Sequence, residues 1–457
     1  MPHRPSPLHR LLSAKPLRNP LLRRVAQNSG YLLSSSTLAA GLSMVQSILA
    51  ARLLGVTGFG VLGTVIQFVT VVNRLTSFRM SEVVVKFAGG QQARGDTRLA
   101  SATFKAAGIT EAASSVLAFI LIVLLAPLAA DVFIHAPEAA PLIMAYGLVV
   151  LFNLIAESAQ GLLAVANQFR LIAAFNLVQS GLTLLLVAGA YTATLGLPAV
   201  LAAYLVGKVV AALGLTAAAL VQARKLWGAG WWRVPLAVLR PQRKEMTGFA
   251  VNTNLNGTLD LITHDSELLW LSALSTPTQA GYYKLAMAIL NLLLIPVDSL
   301  INPTYREVAR EVATRQWANV RYLLRSGSAL AAAYTLTASM LLVIFGEQLI
   351  SMLWGPEFLP TTYNVLLVLL VGAFAANTLY WARRTLLALG FPGFTTLVNL
   401  VAAVLKIGVT LALVPAGGAL AMAAILSAYF AGTSVVNAGK ALLTIRRQPS
   451  GEAAPGG

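Results

Sequence analysis

Apolar runs of about 20 residues recur along the chain, and each is long enough to cross the roughly 30 Å hydrocarbon core of a bilayer as a helix. Twelve such spans are expected, at 28–51, 59–79, 104–126, 140–164, 172–195, 198–221, 248–273, 279–302, 326–350, 361–382, 392–414 and 418–441. With 57% hydrophobic and 11% charged residues over 457 positions, the composition is that of a polytopic membrane protein and not of a soluble domain. The fold class expected is all-α, with helices satisfying their own backbone hydrogen bonds in lipid.

The gaps between spans carry the orientation. Nearly all Lys and Arg residues fall at the N-terminus, 86–105, Arg170, 224–244, 306–325, Arg383 with Arg384, and 440–447. The alternate gaps contain none, and several hold Asp131, Glu138 or Glu357. Basic loops stay in the cytoplasm, so both termini are expected there, in a multi-pass protein of the inner membrane. The net charge of +17 follows from this arrangement, and no nucleic-acid partner is expected. The absence of cysteine excludes disulfides and thiolate chemistry, and four scattered histidines offer no metal-ligand spacing. No metal site or cofactor is expected. The organisation read from these features is a basic cytoplasmic leader at 1–27, an N-terminal lobe at 28–222, a linker at 223–247, a C-terminal lobe at 248–441 and a tail at 442–457. The leader has no apolar core followed by a cleavage site, so it reads as retained.

In the linker, Trp227, Trp231, Trp232 and Leu236 alternate with Arg233, Arg240 and Arg243. Aromatic rings at headgroup depth with cations against anionic lipid suit the membrane interface. Both a simple anchored linker and a route for a lipid substrate fit this pattern.

The two halves also resemble each other. At an offset of 221, Arg52–Gly63 lies over Ala273–Lys284, placing Gly60 on Gly281, and Glu82–Gly90 lies over Pro303–Glu311, placing Ala88 on Ala309. At 223, Leu162–Asn176 lies over Thr385–Asn399, placing Asn176 on Asn399. Six spans separate the copies, so both begin on the same side and the pseudo-two-fold axis should follow the membrane normal. Two six-helix lobes around a central cavity are expected.

One span is unusually polar. The stretch Phe249–Ala273 carries Asp260, His264, Asp265 and Glu267, although each charge near the bilayer centre costs roughly 2.5–3.5 kcal/mol on insertion scales. On a continuous helix Asn252, Asn256, Asp260, Thr263, His264 and Glu267 share about a third of the circumference, with Asn254 and Asp265 opposite. Such a stripe is expected to face a wet cavity.

The motifs ARLLGVTGFGVLG and STPTQAGYYKLA, and the basic run after Asn302, Pro303 and Tyr305, carry a family resemblance. The chain resembles the polysaccharide-biosynthesis or oligosaccharide flippase branch of the multidrug, oligosaccharidyl-lipid and polysaccharide exporter superfamily. The resemblance covers nearly the whole chain and implies twelve helices in two lobes, alternating access, and movement of an undecaprenyl-pyrophosphate-linked glycan to the outer leaflet. Arg52 is carried over as the family's Arg before the first Leu-Gly turn, and Val56 stands where the pattern usually has Pro.

A pyrophosphate lipid needs cations in place of water, and the planar fork of Arg meets two oxygens at once. Arg52 and Arg74 are therefore the first candidates for headgroup contact, joined by Lys208 and Lys406 near mid-membrane and by Asn252 and Asn256 as hydrogen-bonders. Asp260, His264 and Glu267 are candidates for ion coupling, with a proton or sodium as the coupling ion. Glu157 and Asp298 are expected in structural ion pairs. Expected partners are the lipid-linked glycan, membrane lipids, and the polymerase or glycosyltransferases of the same pathway. The alternatives are a cation-coupled drug exporter on the same fold and, less favoured, an intramembrane glycan polymerase or ligase. The latter lacks an extracytoplasmic loop large enough for catalysis, and no nucleotide-binding loop of the G-x-x-x-x-G-K-[ST] type occurs. Asp260→Asn and Arg52→Ala are each expected to stop surface glycan export while the lipid-linked precursor accumulates on the inner leaflet. Normal export in both strains would remove this site.

Overall fold

The computed structural model describes residues 20–261 and 266–448, with side chains from residue 37 onward except at Asn252, Leu255, Asn256, Gly257, Leu259 and Asp260. Among the described residues the elements are helices only, and nine are long and apolar enough to cross a membrane.

The first helix, α1 (Pro20–Thr76), and the last long one, α13 (Pro392–Arg446), far exceed one crossing. At about 1.5 Å per residue 57 residues would reach roughly 85 Å, nearly three times the hydrocarbon thickness. Each is interrupted at a glycine with positive φ: Gly55 in α1 (φ 65°) and Gly418 in α13 (φ 53°). A residue with a Cβ rarely adopts that backbone, so these two glycines allow a helix to break without an intervening loop. Between them lie α2 (Thr97–Ala129), α3 (Ala140–Phe152), α4 (Ala156–Val165), α5 (Phe169–Thr192), α6 (Leu197–Trp227), α7 (Arg243–Asp260), α8 (Glu267–Leu274), α9 (Pro277–Ala313), α10 (Trp317–Leu353), α11 (Thr361–Thr378) and α12 (Ala382–Ala388). Dividing α1 and α13 at their glycines leaves room for the twelve expected crossings.

Three elements differ from the expectation. The span at 248–273 contains two helices, α7 and α8, with Ser266 outside both, so it is not one continuous helix. The basic run at 306–325 is largely helical, because α9 and α10 continue past the apolar spans and turn only around Arg315. The span at 140–164 breaks between Phe152 and Ala156, and a carboxylate fills the break. Glu111 of α2 accepts hydrogen bonds from the Glu157 amide (2.7 Å), the Ser158 amide (2.8 Å) and the Ser158 hydroxyl (2.6 Å). It thus caps the exposed N–H groups and the positive dipole end of α4 from a neighbouring helix.

The 221-residue repeat appears as a physical contact. A Cβ built on Gly60 would collide with the Pro277 carbonyl and come within 2.9 Å of the Gly281 nitrogen, and a Cβ built on Gly281 would meet the carbonyl of Val56. Val56 and Pro277 are themselves 221 apart, as are Thr57 and Thr278, whose hydroxyls hydrogen-bond at 2.8 Å. Each half places the same backbone against the other, which is what a two-fold axis through this point requires. One hydrophobic cluster, with Phe59, Leu62, Leu285 and Leu290, spans both halves here.

At the opposite end the cores separate. One cluster gathers Val84, Phe104, Leu163 and Leu239 with the start of α7, and another gathers Val308, Val320, Trp381 and Ile445. The lobes are joined at the glycine end and separately packed at the basic end.

Overpacking this contact should open it. Gly60→Val is expected to disfavour the joined state by about 1–3 kcal/mol. The chain has no cysteine, so a single Thr64→Cys, at a position buried beside the contact, can report the change: labelling by an impermeant maleimide should rise in the Gly60→Val background. It should be unchanged by Gly181→Val, where no atom lies within 4 Å of the built Cβ.

Candidate functional site

Below the glycine contact the second half of α1 and the start of α9 diverge, and a cavity of about 360 Å³ opens between them. Helical spacing selects the lining: Gln67, Thr70 and Arg74 along one face of α1, and Lys284, Met287 and Asn291 along one face of α9. Tyr283 and Glu267, the first residue of α8, complete the wall. Such a volume lies within the range of ligand-binding pockets.

Lys284 is the cation closest to the glycine contact. Its ammonium donates to the Phe59 carbonyl at 3.3 Å and lies 3.9 Å from the centroid of the Phe59 ring, in cation–π geometry. Among the described residues no carboxylate forms an ion pair with it. Gly63 makes room for its stem, since a Cβ there would sit 2.6 Å from Lys284 Cδ. The Tyr283 hydroxyl is buried and has no hydrogen-bond partner among the described residues, although its residue lines the cavity. A buried hydroxyl left unsatisfied by the protein is a group available to a ligand.

Glu267 faces two ways. It lines the cavity, and its Oε1 forms a buried ion pair with the Lys406 ammonium from α13, both side chains being almost wholly enclosed. Lys406 also lies 5.2 Å from the centroid of the Tyr429 ring. Pairing with a carboxylate is how a lysine enclosed in an apolar span is tolerated. Glu267 also sits in the first turn of α8, where a negative charge opposes the helix dipole favourably.

The structure brings Arg74 and Glu267 to one cavity and places Lys406 behind Glu267. Arg52 lies elsewhere. At the joined end, its Nε donates to the Leu353 carbonyl at 2.8 Å and its Nη2 to the Met352 carbonyl, so it caps the C-terminus of α10 across the lobe boundary. A loss of export in Arg52→Ala would therefore report a broken lobe contact, not a lost headgroup contact. Lys208 lies 5.8 Å from the centroid of the Tyr146 ring, within the N-terminal half, and is not among the residues that line this cavity. His264 and the side chains of Asn252, Asn256 and Asp260 lie outside the described residues. Glu157, expected in an ion pair, instead accepts a hydrogen bond from the Ser77 hydroxyl at 3.1 Å. Residues not singled out from sequence are Gln67, Thr70, Tyr283 and Asn291; each is an ordinary residue in an apolar run until α1 and α9 are known to face each other.

A family model described as polysaccharide biosynthesis protein matches residues 25–304, more than half of the chain. The chain belongs to the polysaccharide biosynthesis protein family. No curated protein matches it. Among solved structures, this family member is similar to an inward-facing multidrug resistance MATE family transporter of the MOP superfamily. That match has 13% identity, TM-score 0.69, and covers 89% of this chain and 94% of the other. It is likewise similar to the lipid II flippase MurJ in its inward closed conformation (12%, TM-score 0.68, 92% and 88%). A third likeness is a MOP superfamily transporter from Pyrococcus furiosus (13%, TM-score 0.63, 93% and 95%). At such identities the likeness establishes the fold alone, a multi-pass helical membrane architecture shared with those structures.

The ion pair of this polysaccharide biosynthesis protein generates a test. Lys406→Met removes the ammonium facing a buried carboxylate and is expected to destabilise the fold by about 3–5 kcal/mol. The double variant Glu267→Gln/Lys406→Met should recover most of that loss, read as thermal unfolding in detergent and analysed as a double-mutant cycle.

Proposed function

We propose that this polysaccharide biosynthesis family transporter is a flippase, moving a lipid-linked oligosaccharide carried on undecaprenyl pyrophosphate across the inner membrane for surface polysaccharide assembly. The observation that carries the reading is the charge balance of the cavity between the lobes. Arg74 and Lys284 bring two basic side chains to its wall, and Glu267, the acid of the wall, is ion-paired with Lys406. Two cations and the Tyr283 hydroxyl suit a pyrophosphate, whose oxygens accept charge-assisted hydrogen bonds. Gln67, Thr70 and Asn291 add neutral hydrogen-bonding groups beside them, of the kind that meet sugar hydroxyls.

Movement follows alternating access. Contact at the glycine end with separate cores at the basic end supports a reading in which the lobes part toward the basic side. Coupling runs through Glu267: a proton or sodium ion that binds this carboxylate competes with the Lys406 ammonium and loosens α13 from α8. The polymerase and glycosyltransferases of the pathway would supply and consume the lipid-linked glycan. Resident cations also disfavour the drug-exporter reading, because they repel a cationic cargo.

Arg74→Ala and Lys284→Ala are each expected to lower the affinity of the purified protein for a polyprenyl pyrophosphate about tenfold or more, and Arg74→Lys less. In cells the precursor should accumulate in the inner leaflet. Unchanged pyrophosphate affinity in both alanine variants, or transport of an amphiphilic cation in liposomes with glycan export unaffected, would overturn the proposal.

A further inference from the structure

A second cavity, of about 640 Å³, lies at the basic end between the N-terminal lobe, the linker and the first turns of α7. Its wall is apolar: Phe78, Val83, Ala106, Leu239, Met246 and Val251 are among its lining residues. Arg240 and Arg243 also line it, and no Asp or Glu does. Neither guanidinium forms an ion pair among the described residues, although acids pair with other cations nearby: Lys86 with Glu245 at 3.7 Å and Arg79 with Glu82 at 3.4 Å.

The linker that carries Arg240 is pinned at one depth. Trp227 donates through Nε1 to Gln92 Oε1 at 2.7 Å, Phe104 meets Trp231 with ring centroids 5.4 Å apart, and Lys105 donates to the Val234 carbonyl at 3.2 Å. Trp232 remains half exposed with Arg233 stacked 5.0 Å from its ring centroid. Indole rings beside guanidinium groups are the signature of headgroup depth. An apolar recess that opens at that depth beneath two uncompensated cations matches one kind of molecule: an acyl chain joined to an anionic phosphate.

We propose that this recess is a binding site for an anionic glycerophospholipid of the cytoplasmic leaflet, with its phosphate between Arg240 and Arg243 and an acyl chain along Phe78, Val83 and Met246. The chain's own N-terminal segment is a poor competitor, because Arg4, Arg10, Lys15 and Arg18 bring the same sign of charge. The site is separate from the cavity of Arg74 and Lys284: its lining comes from the N-terminal lobe, the linker and the first turns of α7, which pack in one core. This inference stands whether or not the cargo is a lipid-linked glycan.

The test uses the full chain purified in detergent and native mass spectrometry with added phosphatidylglycerol or phosphatidylcholine. The wild type should retain phosphatidylglycerol over phosphatidylcholine by roughly thirtyfold, the expectation for two basic residues at an anionic site. Arg240→Gln/Arg243→Gln should bring the two lipids to near parity. Ala106→Phe, which fills the apolar wall and keeps both arginines, should reduce retention of both lipids. Equal retention by the wild type, an unchanged preference in the double variant, or retention of a polyprenyl phosphate with no preference for phosphatidylglycerol would each overturn the assignment.

Discussion

The close approach of Gly60 and Gly281 is the constraint on which the rest of the molecule depends. Only residues without a Cβ let two helix backbones meet so closely, and in lipid such van der Waals contact is a main source of helix association. Because the same 221-residue repeat supplies both sides, the contact lies on the symmetry axis and fixes the two lobes relative to each other. Helices that touch at one point and cross must separate away from it. The cavity of Gln67, Thr70, Arg74 and Lys284 is thus a geometric consequence of the glycines one to four turns above it.

Within that space, electrostatics decides which side chains are tolerated. A lone charge at this depth would be expensive, and Glu267 and Lys406 offset each other by ion pairing while holding α8 to α13. Lys284 has a weaker arrangement, a carbonyl and an aromatic face, which solvates an ammonium without neutralising it. Among the described residues no carboxylate pairs with Lys284, whereas the Glu267 carboxylate is committed to Lys406.

Much of the architecture was legible in the sequence because it rests on one-dimensional signals. Apolar length marked the spans, and the repeat that aligns Gly60 on Gly281 turns out to meet itself there, backbone against backbone. The site was legible in part. Arg74, Glu267 and Lys406 stood out because a charge in an apolar run is conspicuous, and Lys284 was visible for the same reason without being placed in the site. Arg52 was equally conspicuous, yet its role is set by Met352 and Leu353, some 300 residues away in sequence, which no local pattern reveals. The division of 243–274 into α7 and α8 was hidden because helical periodicity assumes a continuous helix, and a break that exposes the N-terminus of α8 to Glu267 leaves no proline or glycine at Ser266 to mark it. Tyr283 and Asn291 carry no charge and gain meaning only from what faces them.

The departures from symmetry are as informative as the symmetry. At the contact itself the repeat is matched: Gly60 with Gly281, Thr57 with Thr278, and the Val56 and Pro277 carbonyls in equivalent places. One turn below, Gly63 faces its counterpart Lys284, and the absence of a side chain on one lobe is what lets the other lobe's lysine stem lie across the axis. Lower still, Thr70 corresponds to Asn291 and Arg74 to Ile295. Hinging two lobes needs equivalent surfaces, so selection for a tight, reversible contact keeps the pair alike there. Binding one asymmetric ligand needs the reverse, since a two-fold array of cations would hold an anion equally well in two orientations. On the proposed flippase reading, the chain keeps its repeat at the hinge and breaks it in the cavity.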